Sequence, residues 1–208
     1  MKKLIFASLI ALSLITQAQA GILIEPYLGY IFSADTKETG SGSGSFDYKY
    51  DYSGLNYGGR LGYSTFGLQM GLDYNMASYD YETNNSTTKL KDAYDFNAFG
   101  AFVGFKFPVL LRVWGTYYFN AELKDKDSGT GGVYTPSGTK FNGNGFGLGA
   151  GFTGLPFVNI NLEYRSFTYD EATTSTGTKL NLPDTTNGVG KHSASEMILS
   201  VSVPFDIM

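Results

Sequence analysis

Apolar and polar residues alternate along much of this chain. In the stretch NINLEYRSFTY (159–169), Ile160 and Leu162 alternate with Asn161 and Glu163. A period of two residues predicts a β-strand with one apolar and one polar face. In a soluble protein the apolar face would point at the core, whereas in a closed membrane barrel it would point outward at lipid. The pattern of this one strand leaves both orientations open.

Eight segments show this pattern and are predicted to be strands. They cover 22–32, 53–64, 67–79, 94–107, 110–120, 140–153, 159–169 and 195–205. The segment 94–107 is apolar on both faces over FGAFVGF, so the sequence does not assign its two sides. Eight such strands, separated by turn signals, predict an antiparallel up-and-down arrangement.

The connections between the strands alternate between short and long. The short ones are 64–67, 107–110 and 153–157, and the long, polar ones are 33–45, 83–92, 122–139 and 170–192. All tight turns then fall at one end and all long loops at the other, as in bacterial outer-membrane barrels. The strand lengths also fit, since a tilted strand needs about 9–11 residues to cross a membrane. The sequence therefore predicts an all-β, eight-stranded antiparallel up-and-down transmembrane β-barrel with its apolar set facing lipid.

Aromatic residues support this orientation. Outer-membrane barrels carry girdles of aromatic side chains at both membrane interfaces. The aromatic residues near predicted strand ends, and hence expected in the girdles, are Tyr30, Phe32, Tyr63, Tyr74, Tyr117, Phe119, Tyr164, Phe167 and Tyr169. A chain with 27 Gly and 16% aromatic residues also favours strands over helices.

The first 20 residues are predicted to be a secretory signal peptide. Two lysines are followed by a short apolar run and by the small-residue pattern AQA at 18–20. The run is well short of the roughly 20 apolar residues that a membrane helix needs. The expected division is a signal peptide at 1–20 and a barrel domain at 21–208, exported to the outer membrane of a Gram-negative bacterium.

Composition excludes some classes of function. Without the two lysines of the leader, the formal charge of the chain changes from −4 to −6. Nucleic-acid binding rests on neutralisation of phosphates by Lys and Arg, so no nucleic-acid partner is expected. Cysteine is absent, and no disulfide framework holds the fold. The mean hydropathy of −0.12 does not argue against membrane strands, because lumen-facing residues cancel the lipid-facing ones.

Charged residues recur on the faces predicted to point inward. They are Glu25, Arg60, Asp73, Arg112, Glu163, Arg165 and Glu196. Glu25, Arg60 and Arg112 are expected near the turns, and the other four about half-way up. An eight-stranded barrel is just wide enough for side chains to fill it, so these residues are predicted to form a plug of salt bridges. A gated conduction path or proton relay through the same charges remains the alternative.

The chain resembles the small outer-membrane β-barrel family of OmpA-type and OmpX-type proteins. The resemblance rests on the predicted leader, the eight alternating strands, the short turns, the long loops and the opening LIEPYLGY. The resemblance implies a non-enzymatic role in the envelope or in surface binding through the loops. It also implies outer-membrane lipid, lipopolysaccharide, periplasmic chaperones and the barrel-assembly machinery as partners. The chain departs from the family where Phe205, the expected terminal aromatic signal, is followed by DIM, and no segment corresponds to a peptidoglycan-binding domain. Pro26 lies inside a strand, where a bulge is expected.

Sequence motifs for catalysis are weak. GFGLGA (145–150) has the letters of a dinucleotide fingerprint without the helix and acidic residue that must follow. DKDSG (125–129) has the Asp-x-Asp spacing of a calcium loop, but its sixth position is not Gly and no bidentate Glu follows in register, so it is expected to be a solvated loop. A His-x-Ser pair, as in lipid A deacylases, would need serine at position 194, where the residue is Ala194; His192 is expected at a strand start. We therefore expect no enzyme activity, cofactor or metal.

Three functions remain open at this stage. The first is a plugged, non-enzymatic barrel that acts through its loops. The second is a small or gated pore. The third is an exported soluble barrel of the lipocalin type that binds an apolar ligand, in which the polar set would have to face water.

Overall fold

The computed structural model describes residues 20–39, 47–85, 88–126, 138–184 and 190–207. The predicted signal peptide lies outside the described residues, apart from Ala20. Within these described ranges, no helix has the length and apolar character needed to cross a membrane.

The described residues form one antiparallel sheet that closes on itself. Its strands are β1 (Gly21–Thr39), β2 (Asp47–Thr65), β3 (Leu68–Asn85), β4 (Thr88–Lys106), β5 (Leu111–Asp125), β6 (Lys140–Phe152), β7 (Asn159–Thr173), β8 (Lys179–Asn181), β9 (Lys191–Ser202) and β10 (Phe205–Ile207). The long strands β1 to β7 pair in sequence, and β9 pairs with both β7 and β1. The predicted eight-stranded antiparallel barrel is therefore confirmed.

The two short strands add to the wall without changing its closure. Strand β8 pairs with the last three residues of β7, beyond the start of β9, and β10 pairs with β1 beyond the end of β9. Phe205, the first residue of β10, is exposed.

Three tight turns lie at one end of the barrel, here called the turn end, and the opposite end is the loop end. Phe66 and Gly67 join β2 to β3, with φ values of 49° and 82°. Positive φ at both central residues suits the right-handed twist of the flanking strands. Leu110 and Phe157, in the other two turns, also have positive φ.

Strands β1, β3 and β4 extend further toward the loop end than the sequence predicts. Residues 33–39 of the expected loop 33–45 are strand, since β1 continues to Thr39. The expected loop 83–92 is also wrong, because β3 and β4 pair as far as Asn85 and Thr88. Backbone pairing requires no apolar face, so the ladder continues where the apolar alternation has stopped. Residues 40–46, 86–87, 127–137 and 185–189 lie outside the described residues.

The bulge expected at Pro26 is absent. Pro26 stays in register with Gly59 of β2. On the opposite edge of β1, residues 22–24 pair with β10 and Tyr27 pairs with Ser202 of β9 in the same register. The ladder between these two strands lacks only the residue pairs of Val203 and Pro204. A register shift in β1 occurs instead at Ile31–Ala34. The ladder thus keeps its register past the proline, and Val203 N still donates to the Pro26 carbonyl oxygen at 3.1 Å across the gap.

Burial alternates along the strands, with charged residues inside and apolar residues outside. In β7, Glu163 and Arg165 are buried while Ile160 and Leu162 are exposed. Strand β4, whose faces the sequence left unassigned, buries Phe96 and Phe102 among others. The aliphatic face of the barrel therefore points outward.

The interior has two layers. Charged and amide side chains fill the turn end and the middle, and an apolar, largely aromatic cluster fills the loop end. Its members are Ile31, Ala34, Ala77, Tyr79, Phe96, Ala98, Tyr118, Ala121, Phe141, Phe167, Tyr169, Ala172 and Ile198. Phe167 and Tyr169 were expected in the outer girdle, and this expectation is wrong: they share the inward face of β7 with Arg165.

Candidate functional site

Strand register places the charged side chains within one another's reach. Glu25 lies opposite Arg60 on the neighbouring strand, Arg60 opposite Asp73, and Arg165 opposite Glu196. All seven sequence-selected side chains are inside the barrel. Their residues, each at most 3% exposed, are Glu25, Arg60, Asp73, Arg112, Glu163, Arg165 and Glu196.

A bidentate ion pair spans the barrel at the turn end. Arg112 Nη1 donates to Glu25 Oε2 at 2.7 Å, and Arg112 Nη2 lies 2.6 Å from Glu25 Oε1. Ser202 donates from its hydroxyl to the same carboxylate. Arg112 Nη2 also donates to Asn161 Oδ1 at 3.1 Å. Because β1 and β5 lie on opposite sides of the closed sheet, this pair crosses the bore.

Arg60 joins the turn-end pair to the charges in the middle of the barrel. Its Nε lies 3.0 Å from Asp73 Oδ2, and its Nη2 lies 2.9 Å from Glu163 Oε2. Its Nη1 is 3.8 Å from Glu25 Oε2. The two groups expected from the sequence are therefore a single charge network.

Arg165 continues the charge network toward the loop end. Its Nε donates to Glu163 Oε1 at 2.8 Å, and its Nη1 donates to Glu196 Oε1 at 3.4 Å. Two tyrosine hydroxyls also donate hydrogen bonds to these carboxylates. The Tyr79 hydroxyl donates to Glu196 at 2.6 Å, and the Tyr118 hydroxyl donates to Glu163 at 3.3 Å. Hydrogen bonds of this kind offset part of the desolvation of a buried charge.

Trp114 packs between two arginines of the network. The guanidinium carbons of Arg60 and Arg112 lie 4.5 and 4.6 Å from its ring centroid, within the range of cation–π attraction. Gly149, opposite Trp114 on β6, leaves space for the indole, since a Cβ there would overlap the ring. The glycine row of β6 thus makes room for side chains that reach across the lumen.

Several inward polar residues were missed by the sequence reasoning, which selected charges only. The Tyr27 hydroxyl donates to Asp73 Oδ1 at 2.8 Å and accepts from Asn75 Nδ2 at 3.2 Å. Asn161 Nδ2 donates to Ser202 Oγ at 3.0 Å. Their positions in the sequence could have identified them. Each lies an even number of residues from one of the seven charged residues on the same strand, and therefore points to the same side of the sheet.

Asp125 is also buried, at 2% exposure, and ends β5. The expectation that DKDSG begins a solvated loop is therefore wrong at its first residue, because β5 turns this side chain inward. The rest of that motif falls mostly outside the described residues.

Two further features of the described residues bear on other chemistry: the position of the single histidine and the grouping of possible metal ligands. His192 lies in β9, with its ring centroid 4.7 Å from that of Phe141. Within the part of the chain that the structure describes, no group of three or more His, Cys, Asp or Glu side chains is placed to hold a metal ion. The geometry is that of a packed, ion-paired interior.

Comparison with known proteins gives similarity to solved structures alone. No protein-family model and no curated protein sequence matches the chain. Neisserial surface protein A is 17% identical over 90% of this chain and 99% of its own, with a TM-score of 0.49. Ail, the attachment invasion locus protein of Yersinia pestis, is 14% identical over 89% and 99%, with a TM-score of 0.49. The outer membrane protein OprG from Pseudomonas aeruginosa is 9% identical over 90% and 97%, with a TM-score of 0.43. By its own strand pairing, this chain has the eight-stranded barrel fold of the small outer-membrane proteins that its sequence resembles.

Proposed function

We propose that this chain is an integral, non-enzymatic β-barrel of the bacterial outer membrane, with a lumen closed by the charge network. Its role is then in the envelope or in surface contacts made through the loop end. The observation that carries the proposal is the polarity of the barrel, which buries ion pairs and exposes aliphatic side chains. In water this arrangement would be unfavourable, whereas in lipid it satisfies both faces.

The exposed apolar surface forms a band around the barrel. Every long strand contributes to it, through side chains that include Leu28, Leu61, Leu72, Val103, Val113, Leu148, Leu162 and Leu199. On β1 the exposed apolar residues run from Ile22 to Phe32. At about 3.3 Å per residue and a tilt of about 40°, this run is about 25 Å high, the height of the apolar band of outer-membrane barrels. A soluble barrel would need the opposite orientation.

The charge network supports a closed lumen. Arg112 reaches across from β5 to β1, and Arg60 reaches from β2 to β7. Trp114 fills the space between their guanidinium groups. Eight strands enclose only enough room for side chains. We therefore propose that these cross-barrel contacts leave no continuous aqueous path through the lumen.

Membrane insertion is tested by gel mobility and fractionation. Protein from an outer-membrane fraction is run in SDS without heating and after boiling. A heat-dependent shift is expected, because the closed ladder of a membrane barrel resists SDS. Recovery of the protein as a soluble periplasmic species, with no shift, would overturn the proposal and favour the soluble binder.

A small or gated pore is the second candidate, favoured by the continuous charge network along the lumen. Planar-bilayer recordings of wild type, Glu163→Ala and Arg165→Ala distinguish a pore from a closed lumen. A closed lumen predicts a wild-type conductance indistinguishable from that of the lipid alone. Steady wild-type conductance that changes in both variants, and not in the control Glu171→Ala, whose carboxylate pairs with the exposed Lys179 outside the charge network, would instead identify a pore.

A further inference from the structure

Each of the three tight turns carries a large apolar side chain that the fold leaves exposed. The exposed fractions are 68% for Phe66, 70% for Val109 and 85% for Phe157, one residue in each turn. No other large apolar side chain among the described residues is more than 60% exposed. The three most accessible apolar side chains in this part of the chain are therefore at the turn end.

The backbone of the turns does not favour bulky apolar residues. Phe66, Leu110 and Phe157 have φ values of 49°, 63° and 66°. At positive φ the Cβ of an L-residue lies too close to the following carbonyl oxygen, so tight turns favour Gly or Asn there. Asn would also be better solvated than Phe or Leu in a turn that faced water. Conformation and water would both favour Asn at these positions, so we expect the turns to be surrounded by something other than water.

No charge separates the turns from the lipid-facing band. No charged residue occurs in the turn sequences STFG, FPVL and TGLPF, whereas all four long connections contain charged residues. On β5 the side chains of Val113 and Leu111 are exposed on the outer face, and the exposed residues Leu110 and Val109 precede them in the turn. The apolar outer face therefore continues into the turn without a polar step.

The turns lie just beyond the edge of the apolar band. Ile22, at that edge, pairs with Tyr63 of β2, and Phe66 follows Tyr63 by three residues. At about 2.5 Å of height per residue of a tilted strand, Phe66 is about 8 Å beyond the edge. The interfacial layer between acyl chains and water is about 5–8 Å thick on each side of a bilayer. The Phe66 side chain can therefore reach this layer from its turn.

We propose that the three turns insert their apolar side chains into the interfacial layer of the lipid leaflet at the turn end. The proposal rests on the proposed function and extends it, because the turns then bind lipid in addition to the wall of the barrel. Lipid fits as the occupant because the turns are contiguous with the face that meets lipid. Apolar and aromatic side chains are stabilised in this layer by burying their surface at the boundary between head groups and acyl chains.

The depth of the turns can be measured because the chain contains no cysteine. The single-cysteine variants Phe66→Cys, Phe157→Cys, Leu28→Cys and Ser175→Cys are labelled with the fluorophore NBD in urea and then folded into phosphatidylcholine vesicles. Leu28 marks the apolar band, and Ser175, exposed between β7 and β8, marks water. The turn labels are expected to emit at shorter wavelength than the Ser175 label. A lipid with a nitroxide on its head group should quench them more than it quenches the Leu28 label.

The Leu28 label distinguishes failure of this proposal from failure of the proposed function. Turn labels that behave like the Ser175 label, with the Leu28 label in lipid, would overturn the anchoring and leave the membrane barrel intact. A Leu28 label in water would overturn both.

Substitution by asparagine gives predictions of opposite sign for the two environments. In turns that face water, Phe66→Asn and Phe157→Asn should raise the urea concentration at the midpoint of unfolding in vesicles, because Asn tolerates positive φ. In turns inserted into lipid, both variants should lower it, because the apolar contact is lost.

Phe157→Leu is the matched control for the asparagine variants, since it keeps an apolar side chain at the same backbone conformation. Its unfolding midpoint should stay close to that of the wild type. Each variant is first shown to keep the heat-dependent gel shift, which separates loss of anchoring from failure to fold. A raised or unchanged midpoint in the asparagine variants would contradict insertion of the turns.

Discussion

At the scale of single residues, Arg60 has the largest number of charged partners in the network. Carboxylates of Asp73, Glu163 and Glu25 lie 3.0, 2.9 and 3.8 Å from its guanidinium nitrogens. Arg60→Met keeps the stem and removes the charge, leaving three buried acids without this partner. We expect a loss of about 3–5 kcal/mol in the free energy of unfolding, measured by urea titration in lipid vesicles.

The control for Arg60→Met is Lys179→Met. Lys179 Nζ lies 2.9 Å from Glu171 Oε1, but the pair is exposed and contributes under about 1 kcal/mol. A similar loss of stability in both variants would mean that the buried position of Arg60 is unimportant.

Gly149 is the residue whose lack of a side chain matters most for Trp114. A Cβ at this position would overlap the indole ring, which is held between two arginines. Gly149→Ala should therefore lower the free energy of unfolding by about 1–3 kcal/mol through overpacking. Gly115→Ala is the control, because the nearest atom to a Cβ there is Leu148 Cδ2 at 3.6 Å, an ordinary contact. Both are compared by urea unfolding, and equal effects would contradict the packing argument.

The sequence indicates which residues point inward but not which of them meet. Alternation alone places Glu163 and Arg165 on one face, and that face is the buried one. The contact of Arg60 with Glu163 depends on strand stagger and on side-chain reach across the bore, and neither leaves a local pattern. Phe167 has the aromatic character of a girdle residue, but its phase in β7 is that of Arg165, and the phase decides its side.

At the scale of elements, the ends of the strands were the least predictable feature. Apolar alternation reports where one face meets lipid, whereas strand length is set by backbone pairing, which continues among polar residues. The paired segments at the far ends of β3 and β4 are the clearest case, because polar composition there suggested a loop. Pro26 shows the same limit, since its effect depends on Val203, which faces it in the gap between β9 and β10.

Hydrogen exchange tests the extended β3–β4 hairpin. Tyr81 pairs with Asp92 and Thr83 with Leu90 in the antiparallel ladder. Backbone amides that donate within this ladder should exchange more slowly than amides of the turn 154–157, which lies outside the strands. The measurement is amide exchange of the folded chain in detergent, followed by NMR. Exchange in 81–92 as fast as in the turn would restore the loop predicted from the sequence.

At the scale of the whole molecule, the fold separates two interiors within one barrel wall. The turn end and the middle are crosslinked by ion pairs, and the loop end is lined by aromatic rings around a cavity. The ion-paired layer supports the proposed closed lumen. Closure itself was predictable from the count and alternation of strands, whereas this layering follows from side chains that meet only in three dimensions.

The proposed placement of the whole barrel in lipid predicts a depth dependence that a soluble protein would not show. Leu28 and Ile22 lie on the outer face of β1 and are similarly exposed, at 56% and 52%. Six residues along a tilted strand separate them by about 15 Å of depth, with Ile22 at the edge of the band. Leu28→Arg should therefore destabilise the vesicle-embedded barrel by about 2–4 kcal/mol, and Ile22→Arg by about 0–1 kcal/mol. Urea unfolding of the barrel in vesicles measures both effects. A small, equal loss of stability at the two positions would mean that this face meets water, because arginine in place of a water-exposed side chain changes the free energy of unfolding little.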